Sequence, residues 1–534
     1  MRMVALDFID YAVIGIYFIL VFGIAGWATF KEKVNASSSD YFLGGKNVGW
    51  FVIGASLFAS NIGSEHLVGL AGSGASSGVA VGQFEILAGF MLLLLGWVFV
   101  PFYVRSGVFT MPEFLEKRYS SGARNYLSWM SIVAYILTKI SVTIAAGGIV
   151  FEAIGIDFWT GALIVVVATG IYTIFGGLKA VLYTDMIQMF VLIGGSLAVT
   201  FFGLIELGGW GELKATVGDA YFDMWQPMDH PDFPWTGILF GAPILGMWYW
   251  CTDQYIVQRV LSAKNIENAR KGTIFGGFLK MLPVFLFVVP GVIAYALSQK
   301  GVFALEDNDQ ALIVMVKSMV PVGIRGLVIA GLLAALMSSL SSVFNSCSTL
   351  FTIDVYKRWK PDTSEKTLVR VGQIATIIMV GIGLAWIPFM ENVSDQLFVY
   401  LQSVQGYIAP PITAVFLLGI FFKRLNHQGA MAALMTGLVL GATRFILELN
   451  KDALSGFWYN FADINFLHIA IFLFVICSAV LIVVSLLTAA PPAEKTDGIT
   501  YERRVKSDAQ GKKLDTLLTV ILVIIIAALW IYFS

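Results

Sequence analysis

Residues 54–72 read GASLFASNIGSEHLVGLAG, an apolar stretch whose centre is a run of Gly, Ser, Asn, Glu and His. Those types are poor helix formers. The flanks are apolar enough to lie in lipid, where a broken backbone is tolerated only if it is buried in protein or lines a water-filled cavity. Residues 244–259, ILGMWYWCTDQYIVQR, repeat the pattern, with Thr252, Asp253 and Gln254 in mid-run. Two interrupted helices at corresponding places, five spans apart, are what an inverted-repeat transporter shows. Their freed carbonyls coordinate cations and their helix ends orient solutes. The repeat is inferred from the spacing of the breaks, since the two halves share no visible sequence identity.

The whole chain is built for lipid. Its 534 residues are 58% hydrophobic and 13% charged, with a mean hydropathy of +0.80, whereas soluble domains carry about 25% charged residues. The net charge of −1 excludes a basic nucleic-acid surface. Cys251, Cys347 and Cys477 sit in apolar runs without zinc or disulfide spacing. A crossing needs about 20 apolar residues. That criterion predicts an all-α integral membrane protein with about 14 spans: 8–30, 48–72, 78–103, 125–153, 158–177, 182–207, 236–258, 273–298, 328–356, 367–389, 395–421, 428–447, 465–489 and 514–533.

Loop charge tests this parse. Alternate loops hold Lys31, Lys33 and Lys46; Arg105, Lys117, Arg118 and Arg124; Lys179; Arg259, Lys264, Arg270 and Lys271; Lys357 to Arg370; Lys423 and Arg424; and Lys495 to Lys513. Basic loops are cytoplasmic, which puts both termini outside. The first span, with its long apolar run and charged stop, is expected to be retained rather than cleaved as a signal peptide. Segments 208–235 and 299–327 are expected to carry short surface helices, 490–513 to be a polar cytoplasmic linker, and no soluble domain is expected.

Polar residues inside spans mark function when they face a partner or a cavity. Residues 336–354, LMSSLSSVFNSCSTLFTID, place Ser338, Ser339, Ser341 and Ser342 on adjacent faces of one helix. Hydroxyl oxygens suit hard cations, and small residues also serve close helix packing; both readings stay open on the residues alone. Lys280, Glu85 and Asp185 divide between function and structure. His66 is a sugar contact or a satisfied interior histidine, and Gln402 adds an amide near a Pro-interrupted span. Lys139 and Arg444 read as structural. No nucleophile elbow, P-loop or metal cluster appears, so no enzyme activity or cofactor is expected.

Several stretches resemble the sodium/glucose cotransporter branch of the sodium:solute symporter family: DYFLGGKNVGWFVIGASLFASNIGSEHLVGLAG (40–72), WVFVPFYVRSGVFTMPEFLEKRY (97–119), YTIFGGLKAVLYTDMIQ (172–188), WYWCTDQYIVQRVLSAKN (248–265), SSLSSVFNSCSTLFTIDVYKRW (338–359) and GIFFKRLNHQGAMAALMTGLVLG (419–441). The resemblance implies a LeuT-type five-plus-five inverted repeat over about 48–421, preceded by the extra span 8–30 and followed by three more. Residues 1–489 then form the transporter, and 490–534 the linker and last helix. It implies a first sodium site from the carbonyls of Ala59, Ile62 and Ala335 and the hydroxyls of Ser338 and Ser339. A second site would use Asp185, Ser341, Ser342 and Ser60, giving two sodium ions per solute. The sugar site would be Asn61, His66, Glu85, Tyr249, Trp250, Lys280 and Gln402, with Tyr249 as inner gate and Leu70, Phe84 and Phe398 as outer lid. Gly246 and Ala88 replace polar residues of some relatives, which leaves the particular sugar open. The implied function is sodium-coupled entry of a glucose- or galactose-like hexose; myo-inositol, another neutral solute, an amino acid or a carboxylate is the alternative. Sodium as coupling ion, sugar and the bilayer are the expected partners, and a plasma membrane, of bacterial inner-membrane type, the expected location.

Overall fold

A computed structural model describes residues 6–30, 37–63, 65–153, 155–306, 308–390, 397–500 and 509–534. Among them every extended element is helical, and eleven helices are long and apolar enough to cross a membrane. The elements that position the site are α1 (Phe8–Phe30), α2 (Trp50–Asn61), α3 (Gln83–Leu94), α4 (Phe158–Leu207), α5 (Gln254–Leu261), α6 (Ile266–Leu279), α7 (Ile324–Thr349), α8 (Leu397–Phe421) and α9 (Ala509–Tyr532).

Both breaks read from the sequence are present. Helix α2 stops at Asn61, and Ile62 turns to φ −74°, ψ 102°. Below the break, Glu65–Leu70 forms a wide π-helical turn that runs into Ala71–Ser77. The Gly63 N–H donates to His66 Nδ1 at 3.4 Å, so an imidazole from the next turn caps the freed backbone. The second break follows the short helices Trp235–Phe240 and Ala242–Met247 and the turn Trp248–Thr252. There Asp253 is extended (φ −78°, ψ 130°), and its carboxylate accepts the Tyr255 N–H at 3.3 Å as the N-cap of α5.

Helix α4 is 50 residues long and carries one non-helical residue, Gly177, at φ 57°, ψ −160°. A side chain there would suffer the left-handed backbone and also run into the Tyr41 backbone. Helix α7, buried at every residue from Val328 to Thr349, is the central post. Its N-terminus is capped from α1: the buried Asp10 carboxylate accepts from the Gly323 and Gly326 N–H groups at 2.7 and 2.9 Å. A carboxylate at a helix N-terminus is favourable. The span outside the expected repeat is therefore bolted to the helix that bears the serines.

Helices α2 and α6 cross at glycines. A Cβ on Gly54 would lie 2.7 Å from the Gly272 carbonyl, and one on Gly272 would lie 2.9 Å from Ile53 Cβ and 3.1 Å from the Trp50 carbonyl. In lipid, such close approach is a main source of helix association. Gly272→Ala is expected to cost about 1–3 kcal/mol through overpacking, read as a lowered unfolding midpoint in detergent. An unchanged midpoint would contradict this crossing.

Three basic residues assigned to cytoplasmic loops are corrected: Arg118, Arg259 and Arg270 are buried. Arg118 satisfies the carbonyls of Gly419, Phe422 and Leu425 at the end of α8. Arg270 lies 3.5 Å from Asp515 and stacks over Trp97, which ties α9 to α6. Segments 208–235 and 299–327 carry the short helices Trp210–Val217 and Ala311–Met319. Lys31, Lys33, Arg503, Arg504 and Lys506 lie outside the described residues.

Candidate functional site

Lys280 organises the site. Helix α6 ends at Leu279, and the turn before Pro283 leaves its ammonium pointing inward, 1% exposed. The ammonium donates to Asn61 Oδ1 at 2.5 Å and to Glu85 Oε2. The other Glu85 oxygen is 3.2 Å from His66 Nε2. Asn61, the last residue of α2, donates its amide to the Tyr249 hydroxyl at 3.0 Å. The ammonium also stands 5.5 Å over the Trp250 ring. Glu85 is 4% exposed, so this is a charge-neutral pair with its hydrogen bonds made, the form in which buried charge is tolerated.

The network borders a cavity. Asn61, His66, Glu85, Tyr249, Trp250, Lys280 and Gln402 all line it. The set offers amide, carboxylate and ammonium groups beside two aromatic faces, which matches the hydroxyls and apolar C–H faces of a sugar ring. Phe84 lines it too and packs edge-on against Phe233 with centroids 6.1 Å apart. Leu70 is fully buried and is not brought to this cavity, and Phe398 lies outside the described side chains. Gly246 and Ala88 form apolar wall.

Lys139, read from the sequence as structural, and Gln405, not singled out there, also line the cavity. The Lys139 ammonium faces the Tyr249 and Tyr255 rings at 5.4 and 5.9 Å. Its signal was a lysine in mid-span. Gln405 lies one helical turn beyond Gln402, a spacing that puts both on one face.

A second polar cluster lies behind the break, where α2, α4, α5 and α7 meet. Ser339 Oγ donates to the Ser60 carbonyl at 3.2 Å and is 3.2 Å from the Tyr255 hydroxyl, which also bonds that carbonyl. Ala59, Ile62 and Ala335 are also buried. Ser338, expected with this first group, instead donates to Asp185 Oδ1 at 2.5 Å. Asp185 also accepts from Ser56 at 2.5 Å and Ser60 at 2.9 Å. Ser342 donates to Ser60 Oγ at 3.1 Å, while Ser341 turns back to the Ser338 carbonyl at 3.0 Å. These are oxygen donors throughout, the set hard cations take.

Arg259 enters the same cluster from α5. Its Nε donates to Ser56 Oγ at 3.0 Å and Ser60 Oγ at 2.8 Å, and its Nη2 donates to Ser342 Oγ and lies 3.8 Å from Asp185. Its Nη1 donates to the Tyr255 carbonyl one turn back.

Residues 41–437 match the model of the sodium:solute symporter family. The chain is 40% identical over 543 residues to the sodium/glucose cotransporter 4 of Mus musculus, spanning 94% of this chain and 79% of that protein. It is also 40% identical over 547 residues to the sodium/myo-inositol cotransporter of Homo sapiens, spanning 93% and 76%. A solved substrate-bound, outward-open Na+-coupled sialic acid symporter superposes with a TM-score of 0.77 at 24% identity, over 91% of this chain and 99% of that one. At that identity the likeness is one of fold.

Proposed function

This chain belongs to the sodium:solute symporter family, and from that premise we propose that it carries a glucose- or galactose-like hexose into the cell with sodium, by alternating access. The observation that carries this reading is the buried Asn61–Lys280–Glu85–His66 network walling a cavity lined by polar groups and two aromatic faces, directly below the break in α2. Within it the Lys280 and Glu85 charges balance each other, and Lys139 adds a cation that lines the same cavity. The relatives' names include glucose and myo-inositol cotransporters at equal identity, so inositol belongs in the same test.

We assign the roles as the family resemblance implies them. Asn61, His66, Glu85, Lys280 and Gln402 bind ring hydroxyls, Trp250 covers an apolar face, and Tyr249 closes the inner side. Phe84 closes the outer side, with Phe398 as its partner. The first sodium sits among the carbonyls of Ala59, Ile62 and Ala335 and the hydroxyls of Ser338 and Ser339, and a second near Asp185, Ser341, Ser342 and Ser60. Sodium at the break steadies α2, and Asn61, one residue before it, transmits that order to the sugar network.

The proposed architecture is fourteen crossings in a five-plus-five inverted repeat with both termini outside a plasma membrane. The α4 helix of 50 residues is about 75 Å long, too long for one crossing of a core about 30 Å thick, so Gly177 divides it into two. The short α2 and the segmented run before α5 supply the crossings that length alone does not reveal. The test is uptake of radiolabelled glucose, galactose, myo-inositol and an amino acid into proteoliposomes, with inward sodium or potassium gradients. Sodium-dependent uptake of a sugar or inositol is expected. Equal uptake in potassium, or uptake of the amino acid alone, would overturn the reading.

A further inference from the structure

We propose that Arg259 is a tethered cation seated in the Asp185 pocket, so that a second sodium enters only when this guanidinium withdraws. The inference rests on the symport reading above and adds a competitor to it. Arg259 and Asp185 are both fully buried. Of the oxygens expected for a second ion, Ser60 Oγ and Ser342 Oγ accept from Arg259, and Asp185 lies 3.8 Å from it.

The hydroxyl orientation explains how one pocket serves two cations in turn. Ser56 points its proton at Asp185, Ser60 has the Ser56 carbonyl at 2.5 Å and Asp185 at 2.9 Å as acceptors for its own, and both turn lone pairs to the guanidinium. A sodium ion needs the same lone pairs and leaves those protons where they are. Two unit charges a few ångströms apart in such surroundings repel strongly enough to shift occupancy by far more than tenfold, so the pocket holds one cation at a time. Its oxygens come from α2, α4 and α7, whereas the guanidinium comes from α5, an eight-residue helix set off by the break at Asp253. Movement of α5 away from the other three therefore vacates the pocket. One turn along α4 from Asp185, Gln188 carries a buried Oε1 without a hydrogen-bond partner among the described residues, a further oxygen on that helix. Second-ion binding and the position of the inner-gate segment are thereby linked.

The test is equilibrium binding of radioactive sodium to purified full-length protein in detergent, without solute or membrane potential. Arg259→Gln is expected to lower the half-saturating sodium concentration of the second binding phase by about tenfold or more. Arg259→Lys, which keeps the charge, should titrate like the wild type. Asp185→Asn in the Arg259→Gln background should remove the gained phase. Should Arg259→Gln not purify, Arg259→Met reads the same quantity. Superimposable titrations of the neutral variant and the wild type, or a gained phase that survives Asp185→Asn, would overturn the proposal. The Ser339→Ala arm keeps the two readings apart: it should remove the first phase only. Wild-type protein with no saturable sodium binding sinks the symport reading and this inference with it, whereas a normal first phase unaffected by Arg259 sinks this inference alone.

Discussion

Lys280→Met is expected to lower sodium-driven solute uptake by about 100-fold or more, because a site built to hydrogen-bond its ligand loses heavily when a partner is missing. The same change is expected to cost about 3–5 kcal/mol of stability, since it strips a buried carboxylate of its counter-charge. Glu85 would retain the His66 contact at 3.2 Å, and Asn61 would lose its ammonium donor. The double variant Lys280→Met with Glu85→Gln separates the two effects. Removing both charges from a buried pair is often close to neutral for stability, so the unfolding midpoint in mixed micelles should recover while uptake stays absent. Normal uptake by the double variant would remove the pair from the sugar site and leave it a structural ion pair.

This pair also shows where the sequence was legible. A lysine and a glutamate in the middle of apolar spans carry their own signal, because lipid makes such residues costly unless they meet. That they do meet, across α3 and α6, depends on the Gly54–Gly272 crossing and the turn at Leu279–Pro283, which periodicity does not reveal. The breaks at Ile62 and Asp253 were readable because helix-poor residues interrupt otherwise apolar runs. Arg259 was not. It ends an apolar run and begins a basic one, so counting charges assigns it to a loop, whereas the fold draws it inward to three serines from two other helices. Asp10 was hidden for a similar reason: near a chain terminus it looks like a boundary charge, and only the approach of α7 makes it a cap. Lys139 was discounted as a packing residue, since nothing local distinguishes a lysine facing two tyrosine rings from one reaching toward headgroups.

Ser339→Ala is expected to remove the first sodium ion from the coupling while leaving the protein folded. The side chain is 1% exposed, and its oxygen joins three elements, α7, the Ser60 carbonyl of α2 and Tyr255 of α5. Alanine fits the space and is the best helix former, and the Ser60 carbonyl keeps its bond from Tyr255. The folding cost is therefore about 1 kcal/mol or less. For a cation the loss is larger, because a hydrogen-bond-scale contact to a charge is worth about 1.5–3 kcal/mol, equivalent to a rise of about 10- to 150-fold in the sodium needed for half-saturation. The readout is the solute accumulation ratio in proteoliposomes. At about 100 mV each entering sodium contributes about 2.3 kcal/mol, and a tenfold sodium gradient adds about 1.4 kcal/mol. One coupled ion thus supports a ceiling of about 500-fold and two about 10⁵-fold. Ser339→Ala should fall to or below the one-ion ceiling at sodium concentrations that saturate the wild type, and accumulation at wild-type level would remove Ser339 from the coupling site. The wild-type ratio is informative in the same vessels: any value above the one-ion ceiling requires the Asp185 pocket to accept sodium during the cycle, and hence requires Arg259 to leave it.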